Sequence, residues 1–280
     1  NELWQPVHEV GWVYGEFATW NPESIDLFAK EILNSIPDGS IYMGGTDPGR
    51  FLISAFQAAE GKPDIIVITQ NALMDFNYVH YLQDLYGDRI WVPSETNHGA
   101  AFHIYLKEID EGKRPRNDAV KIADNRVQIY GAAGMMELNG VLARMIFDKN
   151  RDKHTFYVEE AYVMPWMYPY LEPHGFIMKL NAEPSDIAGA ITANDMAFWS
   201  NQIQRLTSNT NFLNNRPARR SFAKLRCSTA GLYASRGMQA ESETAFRQAL
   251  TLYPFHSEAH FRLAQEVFLT QGRFQEAREL

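Results

Sequence analysis

The chain has 280 residues, 45% of them hydrophobic and 13% aromatic, enough apolar material for one large or two modest folded domains. A net charge of -8 and a pI near 5.5 argue against a nucleic-acid partner, since neutralising phosphates needs a cationic field. The single cysteine, Cys227, excludes an intrachain disulfide and a cysteine-built metal site, and no run approaches the roughly 20 apolar residues that span a bilayer. The sequence opens on Asn1 and stops at Leu280 within a helical repeat, so both ends read as cut.

Residues 1–20 carry Trp4, Trp12, Tyr14, Phe17 and Trp20 without a clear period, which predicts an irregular arm packed onto the domain. Asn21-Pro22-Glu23 opens a helix in which Ile25, Phe28, Ala29, Ile32 and Leu33 fall on one face, and Pro37-Asp38-Gly39 ends it. Ser40-Ile41-Tyr42-Met43 then reads as a strand running into Gly44-Gly45-Thr46-Asp47-Pro48, with Asp47 as the N-cap of the next helix and Pro48 at its first position. Such a loop presents backbone N–H groups where α/β proteins bind anions, but the Asp47 carboxylate itself repels them, which favours a plain helix cap over a ligand site.

The helix after Asp47 places Phe51, Leu52, Ala55, Phe56 and Ala59 inward, and Gly61-Lys62-Pro63 breaks it. The β-branched run at 64–69 predicts a parallel strand covered on both faces, 78–85 a helix, and Arg89-Ile90-Trp91-Val92-Pro93 a third strand. Together these make a βαβαβ unit whose strand ends carry Gly44, Gly45, Thr46 and Asp47, then Gln70, Asn71 and Asp75, and then Pro93 to Glu95. Of these, Gly44, Gly45, Thr46, Asp47, Asn71 and Asp75 form the candidate ligand-binding set.

Glu95, His98 and His103 match no common zinc spacing, so no metal is expected there. A loop is expected at 112–118, a methionine-rich core helix at 131–147 and a strand at 155–158. The aromatic, proline-punctuated stretch 164–171 is read as packing under the sheet, with sugar or peptide stacking as the alternative. Glu172-Pro173-His174-Gly175 is read as a turn into a last strand at 176–180.

From Ser185 onward no strand signal remains. A helix is expected at 187–206, and the basic cluster of Arg216, Arg219, Arg220, Lys224 and Arg226 reads as a solvated helix face. Tyr233, Gly237, Phe246, Ala249, Leu250 and Pro254 stand where a tetratricopeptide unit places its packing residues. A second copy follows in Ala259, Phe261, Leu263, Ala264, Gly272, Phe274 and Ala277, with one extra residue before Gly272. The expected fold is therefore α/β: a three-layer Rossmann-like sheet domain over 1–184, then an all-α region over 185–280 with repeats at about 226–280.

Three segments carry a family resemblance: Gly39-Ser40-Ile41-Tyr42-Met43-Gly44-Gly45-Thr46-Asp47, then Asp64-Ile65-Ile66-Val67-Ile68 before a tyrosine-rich helix, and Thr155-Phe156-Tyr157-Val158 with 172–180. With the repeats, they resemble the soluble C-terminal region of bacterial multispan membrane proteins related to protein O-mannosyltransferases. The resemblance implies an extracytoplasmic placement on the parent protein, a cytoplasmic one being the alternative. It implies membrane contact only through segments outside this sequence, and glycosyl-transfer carboxylates in that membrane part.

The expected function is a non-catalytic binding domain whose repeats recruit a protein or peptide, with a glycan or sugar phosphate as a further ligand and no cofactor. The alternative is an α/β enzyme that holds a nucleotide or sugar phosphate at the loop of Gly44, Gly45, Thr46 and Asp47, with Asp47 or Asp75 as acid or base. No complete dinucleotide fingerprint or Walker loop supports that alternative.

Overall fold

β1 (Ile41–Gly44) lies at the heart of the sheet in a computed structural model that describes residues 4–113, 120–123, 126–129 and 131–280. It pairs in parallel with β2 (Ile66–Thr69) on one side and β5 (Phe156–Val158) on the other. β5 continues antiparallel into β7 (Ile177–Leu180) and β7 into β6 (Leu171–His174), giving a five-stranded mixed sheet in the order β2-β1-β5-β7-β6. β3 (Val120–Ala123) and β4 (Arg126–Ile129) form a separate antiparallel hairpin. The chain is thus α/β, with helices on both faces of the sheet.

Side chains alternate across β1 as a strand requires. Tyr42, with Val67 and Tyr157, faces a core built with α2 (Pro22–Ser35) and α3 (Asp47–Ala59). Ile41 and Met43 face the other way, toward α4 (Phe76–Tyr86), α5 (Glu95–Asp110) and α6 (Gly131–Asn150). Every residue expected on the inner face of α2 is buried, and Asn21 caps it by accepting from Ser24 N–H at 2.8 Å.

Three expectations need correction. The first 20 residues are not an irregular arm: α1 (Trp4–Thr19) is a helix, held to α3 by stacking of Trp12 on Phe51 and of Phe17 on Phe56. Its Pro6, Gly11 and Gly15 weaken local propensity, so packing onto α3 decides its state. Residues 89–93 are not a strand. The Val67 N–H donates to the Tyr86 hydroxyl at 2.9 Å, which donates back to the Val67 carbonyl at 3.1 Å, and the Thr69 N–H donates to the Tyr78 hydroxyl at 2.6 Å. Two tyrosines of α4 thereby satisfy the open edge of β2, where a third strand would pair. The backbone of Trp91 is held instead by the Asn150 side chain, through both its N–H and its carbonyl. Finally, Glu172, Pro173 and His174 belong to β6, and only Gly175 and Phe176 form the turn into β7, with Gly175 at φ 60°. Pro173 is tolerated because β6 is an edge strand.

The aromatic segment forms a 3-10 helix, Pro165–Tyr170, in which the Trp166 and Tyr170 rings flank the Arg144 guanidinium at 5.0 and 4.8 Å. It packs on α6 through Phe147. The expected loop at 112–118 falls mostly outside the described residues.

The C-terminal part is helical throughout: α7 (Gly189–Thr207), α8 (Thr210–Leu213), α9 (Arg216–Ser235), α10 (Gln239–Leu252), α11 (Ser257–Arg262) and α12 (Phe274–Glu279). A π-helical turn, Leu263–Phe268, continues α11, and its Leu269 N–H reaches back to the Ala264 carbonyl. One inserted residue in a helix is accommodated by such a turn. The α9 and α11 hairpins end alike. Gly237 has φ 71° and Met238 N–H bonds to Tyr233 O; Gly272 has φ 70° and Arg273 N–H bonds to Phe268 O. The core beneath α2 runs without a break into α7, α9 and α10 through Phe28, Phe222, Trp199 and Phe246. Among the described residues, no helix is long and apolar enough to cross a membrane.

Candidate functional site

The turn from β1 into α3 is built on close approach. A Cβ on Gly44 would stand 2.9 Å from the Gly49 carbonyl oxygen, and one on Gly45 would stand 2.8 Å from Gln70 Nε2. The glycine pair thus lets α3 begin directly over the strand end. The cap lies one residue earlier than expected: Thr46, not Asp47, is the N-cap, its hydroxyl accepting from Gly49 N–H at 3.1 Å, while Asp47 is the first helical residue. Thr46 takes the role because its extended φ and ψ aim its hydroxyl at the helix amides.

The loop amides meet a carboxylate from the protein itself. Glu159 follows β5, and its Oε2 accepts from Gly45 N–H at 2.7 Å and Thr46 N–H at 2.9 Å, while Oε1 accepts from the Thr46 hydroxyl. The geometry is that of an anion seated on a helix N-terminus. Burial raises the Glu159 pKa against the lowering effect of these Thr46 and Gly45 donors, and neighbouring Glu160 raises it further.

Of the other expected site residues, Asn71 joins this cluster, donating to the Gly45 carbonyl at 2.7 Å. Asn139 braces Asn71 from α6, donating to its carbonyl at 2.9 Å. Asp75 does not join: it caps α4 by accepting from Asn77 N–H at 2.9 Å. His98 is buried, its ring nitrogens against the carbonyls of Ser94 and Leu73, and no group of His, Cys, Asp and Glu suited to a metal occurs among the described residues.

Facing the loop is a cleft of about 780 Å³. Thr46 and Asp47 line one wall with Glu16 of α1, and Arg216, Arg220 and Lys224 of α9 line the other with His256 and Glu258. The basic cluster is therefore not a plain solvated helix face. Arg226 is buried on Asp195 at 2.7 Å, and Arg219 donates to the Leu252 carbonyl at 2.9 Å. Lys224 lies between Glu160 at 3.3 Å and Glu258 at 2.6 Å. Burial pulls the Lys224 pKa down, but Glu160 and Glu258 outweigh it and hold it above the ordinary range. His256 is pushed down to about 4 by burial, with Lys224 and Arg220 adding to the effect. Its Nδ1 accepts from Ala259 N–H, capping α11 as a neutral ring.

Glu159 and Glu160, missed in the sequence, are the residues that organise this site. Their signal is two carboxylates directly after the buried strand 156–158, beyond a strand's carboxyl end, where α/β proteins concentrate their chemistry. Comparison with protein-family models, with curated proteins and with solved structures finds no match to this chain.

Proposed function

We propose that this chain is a non-catalytic binding domain of a larger, membrane-anchored, glycosyltransferase-like protein. In it a Rossmann-like sheet unit carries a ligand cleft, and tetratricopeptide-type hairpins recruit a protein or peptide. The observation that carries the reading is the Glu159 clamp. The amides and hydroxyl that an enzyme would turn toward a nucleotide or sugar phosphate hold the chain's own carboxylate, and Asn71 holds the Gly45 carbonyl. Those polar groups support a fixed scaffold. The repeated hairpin turns at Gly237 and Gly272 support the repeat assignment, and stacked helix pairs offer a groove for extended peptides.

A synthetic peptide array probed with the whole chain tests this. Phe261 and Phe274, expected from the sequence as packing residues, are instead 58% and 68% exposed, so Phe261→Ser with Phe274→Ser should abolish peptide retention and leave the melting temperature unchanged. Peptide retention unaffected by the pair, or none by the wild-type chain, would contradict it.

A further inference from the structure

We infer that the cleft between the β1–α3 loop and α9 binds a phosphorylated sugar, with the phosphoryl group on Arg216 and Arg220 and sugar hydroxyls on Asp47 and Glu16. This deepens the reading of the cleft as a ligand site and does not depend on the helical hairpins binding a peptide.

The argument begins with which cations the protein itself uses. Arg219, Lys224 and Arg226 are committed to protein acceptors. Arg216 gives one donor, Nε, to the Tyr253 hydroxyl and carries no ion pair among the described residues. Arg220 is exposed and makes neither a hydrogen bond nor an ion pair among them. The two stand one helical turn apart, so both forks point from the same wall. Two guanidinium charges match a dianion; a single carboxylate would leave one uncompensated, whereas a phosphoryl group has oxygens for both forks.

The opposite wall is acidic. Asp47 is exposed to the cleft, and burial raises the Glu16 pKa against the lowering effect of its Trp20 hydrogen bond, with Asp47 adding to the rise. Carboxylates there disfavour a second phosphate but accept hydrogen bonds from hydroxyls, as they do from ribose in nucleotide sites. Phe255, 81% exposed at the rim, offers a ring face to the apolar side of a sugar. A cleft of about 780 Å³ is far larger than a lone ion requires and within the range for small organic ligands.

Isothermal titration of the whole chain with ribose 5-phosphate, glucose 1-phosphate and glucose 6-phosphate tests this, with inorganic phosphate and free glucose as separate arms. At least one sugar phosphate should bind. Arg220→Ala, and Arg216→Ala with Arg220→Ala, should weaken it by about tenfold or more while the melting temperature holds. Asp47→Asn should weaken the sugar phosphate and leave inorganic phosphate unchanged. Silence of all three sugar phosphates at about 10 mM, well above the affinity a built site supplies, would overturn the inference. So would equal binding by wild type and the Arg220→Ala variant. Peptide retention on the array with no sugar-phosphate binding would refute this inference alone and leave the recruiting role standing.

Discussion

The Glu159 carboxylate occupies the space a side chain at Gly49 would need: a Cβ there would come within 1.9 Å of Glu159 Oε2. Gly49 lies inside α3, where alanine is otherwise the better helix former. Gly49→Ala should nevertheless destabilise the chain by about 1–3 kcal/mol, because the displaced carboxylate is held by three donors. Urea unfolding measures the loss. In the Glu159→Ala background the same substitution should cost much less, and an equal cost in both backgrounds would show the two residues to be independent.

The raised pKa of Glu159 gives a pH dependence of defined sign. The native state holds this proton more tightly than the unfolded chain, so the contribution to stability is complete below the unfolded carboxyl pKa and is lost as pH rises through the higher folded value. Glu159→Gln keeps an acceptor for the Gly45 and Thr46 amides and cannot ionise. Unfolding free energies between about pH 4 and pH 7 should therefore fall less with pH in the Glu159→Gln variant than in wild type.

At the sheet edge, Tyr86 both receives the Val67 N–H and donates to the Val67 carbonyl. Tyr86→Phe leaves both groups buried without a partner and should cost about 1–3 kcal/mol. Hydrogen exchange of the Val67 amide should rise selectively over that of Ile66, whose N–H bonds to the Ser40 carbonyl.

Arg262 threads over α9 where only glycine leaves room. A Cβ on Gly231 would lie 1.7 Å from Arg262 Nη2, and the guanidinium is fixed by Glu258 and Glu266 and by the Tyr162 ring at 4.4 Å. Gly231→Ala should therefore loosen α11 from α9 and lower the melting temperature, by an amount equivalent to about 1–3 kcal/mol. The nearby Cys227 thiol, pushed up to about 12 by burial, reports the same event: it should react with maleimide at the rate of unfolding in wild type and faster in Gly231→Ala.

Local signals were readable where burial followed a simple period. The inner face of α2 and the β-branched run of β2 stand where the pattern put them. The third strand was misread because Ile90 and Val92 look like strand residues, while what excludes them is a pair of hydroxyls on α4 that no period records. Glu159 escaped notice for a related reason. Its partners at Gly45 and Thr46 become neighbours only when β5 pairs with β1, a relation across more than half the sheet unit. The basic cluster on α9 had the right spacing for a solvated face, and only the docking of Glu160, Glu258 and Asp195 against it separates its paired cations from its exposed ones.

The account rests on Glu159 filling the amides of the β1–α3 loop, and hydrogen exchange of the Gly45 and Thr46 amides by NMR tests it most directly. Both amides should be strongly protected in wild type and should exchange markedly faster in Glu159→Ala, with the rest of β1 unchanged. Equal exchange at Gly45 and Thr46 in the two proteins would contradict it.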